Sequence, residues 1–117
     1  MSKGPSQIQK ITRKIEILLE RMNGLDFSTV IPVAELGFDE ALVTRGSPSC
    51  NKYLKQLLSD LNIQQNEKIL DIGCAKGAVL RCITKFPFKN IDGIEISDVL
   101  ANIAVRNLQR LYTQRYL

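Results

Sequence analysis

The stretch Lys68-Ile69-Leu70-Asp71-Ile72-Gly73-Cys74-Ala75-Lys76-Gly77 decides how this chain is read. It runs as a short apolar strand, an acid at the strand's end, and a glycine loop that opens a helix. The loop glycines let backbone approach a ligand where a side chain would block it. An acid at the mouth of such a loop attracts positive charge and repels a pyrophosphate. The ligand expected here is therefore cationic.

Working outward, Asn90 to Ile96 reads as a second strand, isoleucine-rich as a strand buried on both faces would be. The intervening helix, from Gly77 to about Lys85 or Phe86, ends before Pro87. Strand, helix, strand with a short return predicts a parallel pair and a right-handed crossover. Ser97 is placed to cap a further helix with Leu100, Ile103, Ala104, Leu108 and Leu111 in its apolar stripe. Upstream, Ser47-Pro48 starts a helix to about Leu61. Ile8, Ile11, Ile15, Leu18, Leu19 and Met22 recur at helical spacing, predicting an amphipathic helix from Ser6 to Met22 that Asn23-Gly24 ends. Residues 25–45, broken by Pro32 and Gly37, read as a connector with one short helical turn. The division expected is an N-terminal helical extension and connector over 1–46 and an α/β unit over 47–117.

Composition narrows the classes. The chain has 117 residues, 44% apolar and 24% charged, the size and balance of one globular domain. No run reaches the ~20 apolar residues of a membrane span, and the N-terminus carries no signal core, so a cytoplasmic location with no membrane partner is expected. The formal charge of +4 is small, and its clusters at both ends read as solvated helix faces rather than a nucleic-acid footprint. The sequence has 3 cysteines and 0 histidines, and no Cys-x-x-Cys pair, so reduced thiols and no metal site are expected.

Glu95, at the end of the second strand, stands where an acid in this architecture accepts hydrogen bonds from both ribose hydroxyls. Gly73-x-Ala75-x-x-Ala78 is also a degenerate dinucleotide fingerprint, so NAD competes. Asp71 disfavours it, because S-adenosylmethionine has no phosphate and carries an ammonium and a sulfonium. S-adenosylmethionine is the expected cofactor.

Asp71-Ile72-Gly73-Cys74-Ala75-Lys76-Gly77, followed by Ile91-Asp92-Gly93-Ile94-Glu95-Ile96-Ser97, resembles the class I S-adenosylmethionine-dependent methyltransferases. It is most similar to members whose loop reads D-I-G-C-G-K-G, and Ala75 departs from their middle glycine. The resemblance covers about Ser47 to Leu111. It implies a partial Rossmann-like methyltransferase fold, α/β with a parallel β-α-β core, carrying the N-terminal helical extension. It also implies Asp71, Gly73 and Gly77 at the methionine end of the cofactor and Glu95 at the ribose, with Cys74, Ala75 and Ile96 completing the cofactor-binding set. Family members continue through a third strand, whose following acid holds adenine, and a fourth, whose end positions the methyl acceptor. Those elements do not follow here. The resemblance thus implies the N-terminal, cofactor-binding part of a methyltransferase, inactive alone, with no residue assignable as catalytic and the acceptor unspecified.

The alternative is a non-enzymatic module that self-associates through the open edges of a two-stranded sheet. Cys74, with no histidine to activate it, reads as structural. Lys76 reads as a solvated loop lysine or a contact to a ligand carboxylate, Asp92 as a helix-end or solvent partner, and Tyr53 as core. Leu70 is expected in the core, where Leu70→Ala would cost ~2–5 kcal/mol.

Overall fold

The computed structural model describes residues 4–38 and 52–116. Within them the chain is a mixed helix and strand structure, with a two-stranded parallel sheet and four α-helices. In order these are α1 (Gln7–Met22), a 3-10 turn (Val33–Leu36), α2 (Lys52–Asp60), β1 (Lys68–Ile72), α3 (Ala78–Ile83), β2 (Asn90–Ile94) and α4 (Asp98–Tyr116). The Ser47-Pro48 helix start and the boundary between 46 and 47 lie outside the described residues. Among those residues no helix is long and apolar enough to cross a membrane.

Local chemistry sets the element ends. The Ser6 side chain accepts from the Gln9 amide while the Gln9 side chain accepts from the Ser6 amide, a capping box that starts α1. The single helical turn expected in the connector is the 3-10 turn closed by Gly37. Ser97 caps α4 by accepting from the Leu100 amide at 3.2 Å.

The two strands pair in register from Lys68 opposite Asn90 to Ile72 opposite Ile94, so both end at the same height. The register also sorts their faces. Lys68, Leu70, Ile72, Asn90, Asp92 and Ile94 share one face, and all are exposed. Ile69, Asp71 and Ile91 share the other, half-buried face, and α3 packs on the sheet at β2. The expectation of strands buried on both faces is therefore corrected: the sheet is covered on one side. Leu70, 48% exposed, is not a core residue, and the cost of Leu70→Ala falls accordingly. Repeated isoleucines mark a strand without saying how many of its faces are covered.

The buried apolar residues are Leu80, Cys82 and Ile83 of α3, Ile103 and Ala104 of α4, and Phe27, Val33, Leu58 and Cys74. Gly93 permits the closest approach, because a Cβ there would lie 2.8 Å from Leu80 Cδ1 and 2.9 Å from Cys74 Sγ. Tyr53, expected in the core, is instead exposed on α2 with Lys52 over its ring. Cys74 is a free, buried thiol. Cys82 is disulfide-bonded, contrary to the expectation of three reduced thiols.

Burial is inverted in α1. None of its residues is buried, and Ile8, Ile11, Ile15, Leu18, Leu19 and Met22 are each more than half exposed. Its polar side faces the connector instead. The Glu20 carboxylate accepts from the amides of Phe27 and Ser28 and from the Ser28 hydroxyl, and Arg13 donates to the Ser28 carbonyl.

Candidate functional site

The carboxyl ends of β1 and β2 carry the site. From β1 the chain turns through Gly73, whose amide donates to the Ile94 carbonyl at 2.8 Å, as the Cys74 amide does at 3.0 Å. The loop is thereby pinned to the end of the neighbouring strand. Gly73, Ala75 and Gly77 all take left-handed backbone, with φ of +80°, +48° and +90°. Ala75 is the one of these that carries a Cβ, and left-handed geometry costs such a residue about 1–2 kcal/mol. What holds it is Glu95: Oε2 accepts from the Ala75 amide at 2.7 Å and Oε1 from the Ser97 amide at 3.0 Å. Glu95 thus ties the loop to the start of α4, and each of its oxygens retains acceptor capacity.

Of the seven sequence-predicted residues, six line one cavity of about 1060 Å³: Asp71, Gly73, Cys74, Ala75, Glu95 and Ile96. Gly77 does not. It is buried against α4, where an added Cβ would lie 3.5 Å from that of Ala104. The opposite wall comes from α1 and the connector, including Arg13 and Thr29. Sequence reasoning placed nothing from the N-terminal extension at the site.

The electrostatics of this end are acidic. Burial pushes the Asp71 carboxyl above its ordinary value, and the charge of Glu95 adds to the rise. Burial also raises the Cys74 thiol, with Asp71 and Glu95 reinforcing it, which suits a packed thiol and not a nucleophile. Asp92 is exposed on the uncovered face of the sheet. Among the described residues no cluster of three or more acid or cysteine side chains is placed to hold a metal ion.

Lys76 fits neither expectation made for it. Its side chain is buried, and its ammonium is paired with Asp26 at 2.9 Å. It donates also to the Thr29 carbonyl at 2.7 Å and to the Thr29 hydroxyl. Asn107 of α4, 2% exposed, closes the network. Its amide nitrogen donates to the carbonyls of Asp26 and Lys76, and its oxygen accepts from the Asp26 amide. Thr29 donates to the Asp26 carboxylate. Burial opposes ionisation of Asp26, but the hydrogen bonds from Thr29 and Lys76 and the ammonium charge outweigh it and hold that carboxyl below its ordinary value. Among the described residues no buried side-chain nitrogen or oxygen lacks a partner. A signal for Asn107 was present: it falls among Ile103, Ala104, Leu108 and Leu111, a polar residue inside an apolar stripe. Asp26 and Thr29 carry no such signal.

No known protein family, curated protein or solved structure matches this chain.

Proposed function

We propose that the chain binds S-adenosylmethionine and is the cofactor-binding part of a methyltransferase with a Rossmann-like fold. One observation carries this reading. Asp71, next to the last residue of β1, and Glu95, one residue past the end of β2, lie at the carboxyl ends of paired parallel strands and line the same cavity as a left-handed glycine loop. Ligands of open α/β sheets sit beyond the carboxyl ends of the strands. Two carboxylates there favour a cationic nucleoside and disfavour a pyrophosphate.

Asp71 would attract the ammonium and sulfonium, and the remaining lone pairs of Glu95 would receive the ribose hydroxyls. When bound, the cofactor supplies an electrophilic methyl group on a sulfonium. The protein's part in such a transfer is to orient that group and exclude water. The α1 and connector wall serves the second task. The acceptor and the catalytic residues are not assigned.

Calorimetric titration with S-adenosylhomocysteine tests the reading. Saturable binding is expected, weakened at least tenfold by Asp71→Asn or Glu95→Gln, with NADH failing to compete. Absence of saturation at millimolar ligand overturns it.

A second reading is favoured by a separate observation, the six exposed apolar side chains of α1 together with the uncovered sheet face. We propose that the chain also self-associates through these surfaces, with or without the cofactor. Light scattering that stays monomeric at high concentration removes this reading.

A further inference from the structure

Three segments far apart in sequence converge beside the candidate cofactor loop: the connector at residues 26–29, the loop at Lys76 and α4 at Asn107. An ammonium has three donor hydrogens. Those of Lys76 go to Asp26 Oδ1, the Thr29 carbonyl and the Thr29 hydroxyl, which leaves none for a ligand. The same bonds neutralise a positive charge that would otherwise repel a cationic ligand one residue from Ala75. The connector so held forms part of the cavity wall, since Phe27, Ser28 and Thr29 all line it.

We propose that Lys76 is a positioning residue that fastens the connector to the glycine loop, so that cofactor binding and seating of the N-terminal segment are one coupled equilibrium. The inference rests on the S-adenosylmethionine reading for its ligand, and on the Lys76, Asp26, Thr29 and Asn107 contacts for its mechanism. Lys76 acts through the connector and does not touch the ligand. Binding therefore tightens the connector, and a loosened connector weakens binding by the same factor.

Two probes separate this from a direct contact: S-adenosylhomocysteine, which carries the amino-acid carboxylate, and 5′-methylthioadenosine, which lacks it. In Lys76→Met both are expected to lose affinity by a similar factor, of order tenfold. Asp26→Asn keeps the lysine but weakens its pairing, and should move both probes the same way by less. That variant also decides the matter if Lys76→Met does not fold. In the wild type, S-adenosylhomocysteine should slow hydrogen exchange at the Phe27 and Ser28 amides, and this protection should vanish in the variants. Loss of affinity confined to S-adenosylhomocysteine would make Lys76 a ligand contact and overturn the proposal. So would unchanged exchange at Phe27 and Ser28 on saturation. If neither probe binds the wild type, the cofactor reading falls, and the coupling is judged without ligand. Asp26→Asn should then speed exchange at Ala75 as well as at Phe27 and Ser28, and an unmoved Ala75 amide refutes it.

Discussion

Around Lys76 the buried groups are polar, and along α1 the exposed groups are apolar. The first region brings a lysine, an aspartate, a threonine and an asparagine together in a fully bonded network. The second leaves a stripe of isoleucine, leucine and methionine in solvent and turns Arg13 and Glu20 toward the protein. Each inverts what residue type alone suggests. An apolar side chain gains about 1.5–3 kcal/mol on full burial, so the α1 stripe holds a large driving force that the described fold does not use. The N-terminal segment is seated instead by hydrogen bonds, one ion pair and the burial of the connector's Phe27 and Val33. The polar contacts are directional, so they fix where the connector lies as well as whether it is attached.

The sharpest way to break the comparison is at Asn107. Asn107→Leu fits the α4 stripe by residue type but leaves the Asp26 amide and two carbonyls without their partner. An expected cost of about 2–4 kcal/mol in urea unfolding follows from the penalty for orphaned buried polar groups. If the variant were as stable as the wild type, apolar packing would hold this corner and the network would be incidental.

A smaller effect tests the sheet side. Gly93→Ala forces a methyl group against Leu80 and Cys74, where contacts under 3 Å must relax. Overpacking of this kind costs about 1–3 kcal/mol. Because Cys74 opens the loop, affinity for S-adenosylhomocysteine should fall as well, whereas Asn107→Leu reaches the loop through Lys76.

The α1 stripe should respond in the opposite sense. Ile15→Ser with Leu18→Ser replaces two exposed apolar side chains and is expected to change monomer stability by no more than about 0.5 kcal/mol each. The same pair should lower the apparent mass in light scattering if the stripe is a contact between copies. A large loss of stability would mean that the stripe is covered within one chain.

These contrasts explain what was legible in the sequence. The strand Lys68–Ile72 was readable to the residue, because a short apolar run ending in Asp-Ile-Gly has few other uses. The parallel pairing followed from a connection long enough for a crossover helix and too long for a hairpin. The end of β2 and the length of α3 were read too long, since Glu95 leaves the ladder to hold the loop and α3 stops four residues before Pro87. Six of the seven site residues meet in one cavity for the same local reason: they flank one β-α bend and the neighbouring strand end. The connector's part was not legible. Asp26 and Thr29 meet Lys76 across separations of 50 and 47 residues, and no periodicity records such a meeting. Nor does an amphipathic pattern state which face turns inward, and α1 turned the polar one.

The two aspartates on either side of the loop give the finest test, because their pKa values move in opposite directions. Asp26 is held below its ordinary value of 3.8. Its contribution is therefore present above that pH and lost as pH falls through the lower folded value. Asp71 is raised above 3.8, so its charged form opposes folding. The stability associated with it is full below that pH and lost as pH rises through the higher folded value. Asp71→Asn should thus raise the melting temperature slightly at neutral pH, with the gain vanishing below about pH 3.8. Asp26→Asn should lower it at neutral pH, with the loss shrinking under acid. Melting curves by circular dichroism from pH 2.5 to 7 would check both signs. If both variants changed stability the same way across that range, the contrast between a charge paired within the fold and one left for a ligand would fail. If the signs divide as expected, Asp71 is a carboxylate kept at a cost to the empty protein, as the proposed role in holding a cationic ligand requires.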